Sequence, residues 1–587
     1  MDLNDKEQYD FLLSILNPSA RFGPNEEAFF VTVLKALTRV VSQIDDTCHA
    51  TLLSNIFRMR IWLFELETRK ALLKLISSLA AVPDKYLEGC LHMLVSNFVP
   101  PEPGWVITSK KREIHQELHA CLQDIFQDVP LSPIKLCAVI DKTMPCIFDS
   151  KSKMSTYVEC MLGLLIRKEI GEVLSANLLS MVFNLLVELD VNITWNDTLD
   201  QEDQNICIFD RELEYLDHQF SLRFSADDGK VGAHSNNRDI SGNNNSAFIE
   251  RLDGLMVVVC EHLNSCVKSG RLMTTGDYKL FMRIFEIAVL KLHESKFTQF
   301  VMFYACSLDP EIWGLQFAFD LADIFMSTSQ DPISRMSAIS YLASYLSRAK
   351  FISSSIVANI VIKIVNWCSD YCNVVQERIF NAIQKRQFNP IAHQIYYSAC
   401  QAVMYILCFR MRELLYVPIE GAMSKVPFKS FLFDLPLGYI LFNALDPLKV
   451  CLPSIVQEFL RQAKAAHLFH ASVSYINENA IDSELSRSFG GTERLDIFFP
   501  FDPYLLNESD RFIRPNFVYW SMVNTTYNNC NSKEVDDNCN SKEVDEEEDE
   551  AFEDVDAPRI SSDPISSFED HYNVDYKDSD GEYDNLE

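Results

Sequence analysis

A chain of 587 residues has room for several ordinary domains or one long array of stacked repeats, and 48% apolar content is ample for a core. The formal charge of −31 excludes a protein that grips nucleic acid through global positive charge. That charge is uneven: residues 530–587 hold 22 acids against 4 bases and residues 195–250 hold 12 against 4, so the rest is close to neutral.

The amino-terminal residues Met1-Asp-Leu-Asn-Asp-Lys-Glu7 lack the basic and apolar regions of a signal peptide. The 17 cysteines lie scattered through apolar patterns with no pairing frame, which predicts reduced thiols in an intracellular protein. Lys363 interrupts the most apolar run, Ile352 to Trp367, so no membrane span is expected.

Residues 8–99 read as helices. Phe30, Val33, Leu34, Leu37, Val40, Val41 and Ile44 form one stripe at helical spacing, and Leu72, Leu75, Ile76 and Leu79 form another. After the Pro100–Gly104 breaker come helices at 110–127 and 134–148, then 152–167 and 173–189. Pairs starting near 24, 67, 110 and 152 recur about every 42 residues, the period of HEAT or armadillo units. Few segments alternate with period two, so a strand-rich domain is not expected. The fold class is therefore all-α, a HEAT/armadillo-like solenoid: N-terminal repeats over 1–194 and C-terminal repeats over 250–523. Between them, residues 195–249 form an acidic, Asn-rich insert too polar to offset its ordering entropy.

The chain is organised around Phe297–Phe351. Its closing part reads as a helix that Asp331 caps, with Pro332 at the first helical position and Ile339, Leu342, Ala343 and Leu346 on one face. Helices are expected again at 356–367 and 396–415, with another starting near Asp446. A non-helical aromatic strap at 495–520 then lies along the stack and closes a core groove, with partner docking as the sharper alternative. The tail 524–587 repeats Cys-Asn-Ser-Lys-Glu-Val-Asp at 530–536 and 539–545 and ends in acid blocks, the composition of a disordered arm.

No catalytic motif is visible: neither a glycine-rich phosphate loop nor a nucleophile elbow occurs. His115 and His119 stand four apart, but Gln116 occupies the place where a zinc hydrolase needs a glutamate, so a solvated polar face is expected. Cys368 and Cys372 read as buried thiols, Lys110-Lys-Arg112 as a solvated cluster compatible with nuclear import. Arg335, Arg348 and Lys350, with Arg410 and Arg412, are candidates for a basic partner-binding surface, joined by Phe499 and Phe501 of the strap. Ser567 and Ser579 precede acids in the tail and suit acid-directed kinases. No cofactor or metal is expected.

Several ordered blocks carry a resemblance. They are Asn97-Phe-Val-Pro-Pro101, Leu189-Asp-Val-Asn192, Arg251-Leu-Asp-Gly-Leu-Met256 and Cys306-Ser-Leu-Asp-Pro310. Arg335, Tyr341-Leu342, Ser347-Arg-Ala-Lys-Phe351 and Tyr397-Ser-Ala-Cys-Gln-Ala-Val403 follow. Asn443–Ser454 and Leu495-Asp-Ile-Phe-Phe-Pro-Phe-Asp-Pro503 complete the set, the last being the most specific. Together, over about 97 to 520, they resemble the RNA polymerase I-specific transcription initiation factor family. The resemblance implies a HEAT stack and a non-enzymatic role in the nucleus and nucleolus. It also implies contact with the stalk side of RNA polymerase I, bridging to promoter-bound factors, and control by phosphorylation. With no global positive charge, DNA contact is possible but weak. Oligomeric state stays open, a homodimer included. Relatives tend to carry a serine-rich acidic loop after the Pro-Pro turn. Here 102–112 is short, with Thr108 and Ser109 its only hydroxyls, so regulation is expected in the tail or the insert. A HEAT-type nuclear transport carrier is the alternative.

Overall fold

The computed structural model of the chain describes residues 3–17, 24–82, 85–101, 108–193, 240–269, 274–292, 295–384, 390–417, 430–469, 500–501 and 504–527. Among them there is no strand, only an isolated antiparallel bridge between Ala349 and Phe517. The first half comprises α1 (Leu3–Ile15), α2 (Pro24–Arg39), α3 (Ala50–Phe57), α4 (Leu66–Ala80), α5 (Leu87–Ser96), α6 (Thr108–Asp128), α7 (Ser132–Thr143), α8 (Lys151–Leu165) and α9 (Lys168–Val191). The second comprises α10 (Ile240–Lys268), α11 (Thr275–Ala288), α12 (Phe300–Leu308), α13 (Leu315–Met326), α14 (Pro332–Arg348), α15 (Ser354–Gln384), α16 (Gln394–Leu414), α17 (Leu437–Leu441) and α18 (Pro453–Ala465).

Alternate helices build two layers. In one, α2 packs on α4, α4 on α6, α6 on α8 and α8 on α10; in the other, α5 packs on α7, α7 on α9 and α9 on α11. Further along, α14–α16–α18 and α13–α15–α17 continue the pattern. This is the HEAT-like solenoid that the period predicts: each helix is too narrow to bury its stripe alone and is stabilised by the next unit. In α4 the stripe Leu72, Leu75, Ile76 and Leu79 is fully buried, worth about 1.5–3 kcal/mol per side chain. Helix α9 is long and apolar enough to cross a bilayer by length and composition, yet half of its apolar window is buried and it packs against α7, α8, α10 and α11.

Local signals set the helix ends. Asp331 accepts from the Ser334 amide at 3.0 Å with Pro332 next to it, as expected. Thr274 and Asp277 form a reciprocal capping box at α11, and Ser150 caps α8. Two boundaries differ from expectation. Residues 240–249, assigned to the insert, open α10, because Phe248, Leu252 and Leu255 share its buried face. The run begun at Asp446 breaks into a short turn, Pro447–Val450, and then α18, since Pro453 restarts the helix at its first position. The rest of the insert and residues 528–587 lie outside the described residues, Ser567 and Ser579 with them.

Candidate functional site

The strap is described at 500–501 and 504–527, and it follows the stack from α8 to α18. Lys151 of α8 meets Glu508 at 2.7 Å. Asp253 of α10 accepts the Glu508 and Ser509 amides at 2.7 and 2.9 Å and also the Ser509 hydroxyl. Tyr304 of α12 packs its ring on Phe512, and Ser307 accepts from Asn516 at 3.2 Å. Val518 donates to the Arg348 carbonyl at 2.8 Å and Lys350 to that of Asn516 at 3.0 Å, which forms the isolated bridge. Trp520 stacks edge-on against Phe409 of α16. Thr526 and Tyr527 reach Gln462 and Glu458 of α18.

Between α12 and α14 the rings of the strap fill the interior. Phe501 is fully buried, its centroid 5.3 Å from those of Phe300 and Phe303 and 5.8 Å from that of Tyr341. Phe517 lies 6.0 and 5.9 Å from the same two phenylalanines. Phe501 therefore closes a core groove and cannot present its ring to a partner while it sits there. Phe499 lies outside the described residues.

A polar knot precedes α12. The buried Asp190 carboxylate, at the end of α9, accepts the amides of Lys296, Phe297 and Thr298 at 2.8–3.0 Å, and the hydroxyls of Ser295 and Thr298. These amides lie in the turn just before α12, and the carboxylate satisfies donors that burial cuts off from water. It belongs to the Leu189–Asn192 block quoted above, and its role is to hold one repeat against the next.

The five basic candidates separate. Arg348 is only 1% exposed: its guanidinium donates to the Val518 carbonyl at 3.0 Å and lies over the rings of Phe409 and Phe517. Arg410 is also buried, donating to the Leu346 and Ala349 carbonyls and pairing with Glu413. These two correct the expectation of a shared basic surface, because both charges are spent on backbone carbonyls inside the fold. Arg335 is half-buried, donating to the Phe325 carbonyl at 2.7 Å with its guanidinium over Trp367. It stands near the opposite end of α14 from Lys350, roughly 20 Å away along the axis. Lys350 is exposed, in the loop that Arg410 holds. Arg412 lines a cleft of about 330 Å³ with Tyr416, Met522 and Val518. Tyr416 and Met522 are 72% and 55% exposed, so the end of α16 and the strap together offer an apolar face edged by Arg412 and by Glu413, the carboxylate that pairs with Arg410.

His115 and His119 are a second correction. Both are buried, donating from Nε2 to the carbonyls of Phe98 at 3.1 Å and Cys160 at 2.8 Å. Burial lowers each imidazole to about 4. They are structural donors between repeats, not a solvated face. Cys368 and Cys372 are buried as expected, and burial raises both thiols. Among the described residues no group of three or more His, Cys, Asp or Glu is placed to hold a metal ion.

Comparison with known proteins bears on these features together. The sequence profile described as "RNA polymerase I specific transcription initiation factor RRN3" matches residues 1–525. The chain belongs to that family. It is 28% identical over 478 residues to the RNA polymerase I-specific transcription initiation factor RRN3 of Mus musculus, covering 76% of this chain and 69% of the relative. The corresponding factor of Schizosaccharomyces pombe is 23% identical over 498 residues, covering 84% and 80%. The fold is also that of a crystal structure of RNA polymerase I transcription initiation factor Rrn3. The TM-score is 0.66 and the identity 18%, over 89% of this chain and 96% of the other. The family match takes in every helix from α1 to α18.

Proposed function

We propose that the chain is a non-enzymatic initiation factor that binds RNA polymerase I and holds it to promoter-bound factors at ribosomal RNA genes. The observation that carries this reading is the family match over 1–525, which takes in the whole described fold. The physics is compatible. A solenoid presents long surfaces to large partners, and the strap ties units α8 to α18 into one body able to transmit a contact along its length. The face formed by Arg412, Tyr416 and Met522 suits a partner with apolar and acidic character, by the aromatic and arginine enrichment of interfaces. Nucleolar residence and regulation through Ser567 or Ser579 belong to the same proposal. The test is affinity purification of the tagged full chain from nuclear extract. Recovery of RNA polymerase I subunits supports the reading; recovery of a transport GTPase without polymerase replaces it with the carrier alternative. Arg412→Glu should weaken polymerase recovery if the face is used, and unchanged recovery removes that face from the proposal.

A further inference from the structure

A second cleft, at the other end of the solenoid, has a different character. It has a volume of about 650 Å³ and lies between α3 and α5. Its wall is fixed by Asn97, whose amide side chain accepts from the Ile61 amide at 3.0 Å and donates to the Met59 and Met93 carbonyls at 3.1 and 2.9 Å. Trp62 donates to the Asn97 carbonyl at 2.9 Å. The site is thus held open by buried hydrogen bonds rather than by loose loops.

Leu53 and the half-buried ring of Phe57 give the cleft an apolar side. One side of that ring is covered by Gly89 of α5, where a Cβ would come within 2.6 Å of it. Arg58, Arg60, Lys85 and His92 line the remainder. Asp46 is the one carboxylate in the lining, 3.9 Å from Lys85, which also stands 3.8 Å from Asp45, so Arg58 and Arg60 carry most of the uncompensated charge. Arg60 donates to the Ser96 carbonyl at 2.6 Å, and the exposed Arg58 guanidinium has no hydrogen bond or ion pair among the described residues. Arg58, Arg60 and Lys85 against Asp46 make the lining net positive, in a body that is close to neutral outside its two acidic segments.

We propose that this cleft binds a short acidic segment of a partner protein, with an apolar side chain seated against Phe57 and Leu53 and carboxylates on Arg58, Arg60 and Lys85. Charge complementarity selects an acidic ligand, and the planar fork of Arg58 matches a carboxylate in two-point contact. The volume, within the ~300–1,000 Å³ range of ligand pockets, suits a few residues of extended chain. A nucleic acid duplex, with one charge per ~1.7 Å, would extend past the few cations of the cleft and meet Asp46 of the lining and Asp45 on Lys85 with a continuous line of negative charge. The inference rests on the cleft alone and stands apart from which assembly the chain joins.

The experiment uses the full chain and a dye-labelled synthetic peptide in which glutamates flank a phenylalanine, followed by fluorescence anisotropy. Saturable binding is expected, weakened about tenfold by Arg58→Ala, the effect of losing one charge-assisted pair, and weakened further by salt. Replacing the peptide's glutamates by glutamines, or its phenylalanine by alanine, should weaken it as well. Arg58 is exposed, so the variant keeps its fold; Lys142→Ala, whose side chain is 72% exposed outside the cleft, should bind as the parent does. Absence of saturable binding, indifference to Arg58→Ala, or equal binding of the glutamine peptide overturns the proposal. So does a labelled DNA duplex that binds more tightly than the peptide and loses that binding in Arg58→Ala.

Discussion

Replacing Phe501 with alanine tests whether the strap is part of the core. The ring is fully buried among Phe300, Phe303, Tyr341 and Tyr345, with centroids 5.3–6.2 Å away. Removing a buried phenyl group forfeits its transfer free energy and leaves a cavity, about 3–5 kcal/mol in comparable cores. The surrounding rings come from α12 and α14, two rigid helices, so little collapse is available to reduce that cost. In a solenoid the loss is felt first by neighbouring units, so the strap should loosen before the whole stack melts. The assay is thermal denaturation by circular dichroism together with limited proteolysis mapped by mass spectrometry. Phe501→Ala should melt earlier and be cut faster within 500–527, while Met522→Ala, at an exposed position, should change neither. An unchanged melting curve and an unchanged digestion pattern would refute the reasoning that the strap closes a core groove.

Further outcomes follow from the same contacts. Arg348→Met removes a buried guanidinium from the Val518 carbonyl and from two aromatic faces, and should cost about 2–3 kcal/mol in chemical denaturation. Asp190→Asn turns donors toward amide and hydroxyl groups that need an acceptor. It should cost about 2–4 kcal/mol and raise hydrogen exchange at 295–298, and unaltered exchange there contradicts the assigned knot. For His115 and His119 the folded state holds the imidazole near 4 against an ordinary 6.5, so the unfolded chain binds more protons in between. Their neutral, folded-compatible form is intact above pH 6.5. Stability then falls as pH drops from 6.5 toward 4, by at most about 3 kcal/mol per imidazole. The double variant His115→Gln with His119→Gln should flatten that part of the pH–stability profile, and an unchanged slope would assign it to other groups.

The repeat architecture was legible because it is written in local periodicity. The helices that begin the first-layer units start at 24, 66, 108 and 151, close to the sequence estimate. The Asp331 cap was also legible, since Asp-Pro at a helix start acts within one turn. Arg348 and Arg410 were not. Each looked like a helix-end or surface cation, and what buries it is a carbonyl distant in sequence: Val518 is 170 residues from Arg348, and Leu346 is 64 residues from Arg410. His115 and His119 were misread for the same reason, although a clue was present. They alternate with Ile114, Leu118 and Leu122 on one buried face, a pattern that favours interior histidines over a solvated strip. The cleft at Arg58 carried no motif at all, because it joins a helix end, a turn and a second helix whose contact exists only after folding.

The proposed role is to promote initiation by holding RNA polymerase I to promoter-bound factors. The direct measurement is reconstituted transcription from a ribosomal RNA promoter with purified RNA polymerase I and promoter factors, titrated with the full chain, while polymerase retained on the promoter is counted in parallel. Specific transcripts and retained polymerase are expected to rise together and level off near one chain per polymerase. Transcripts that appear equally without the chain, or retention that does not depend on it, would rule out the bridging role.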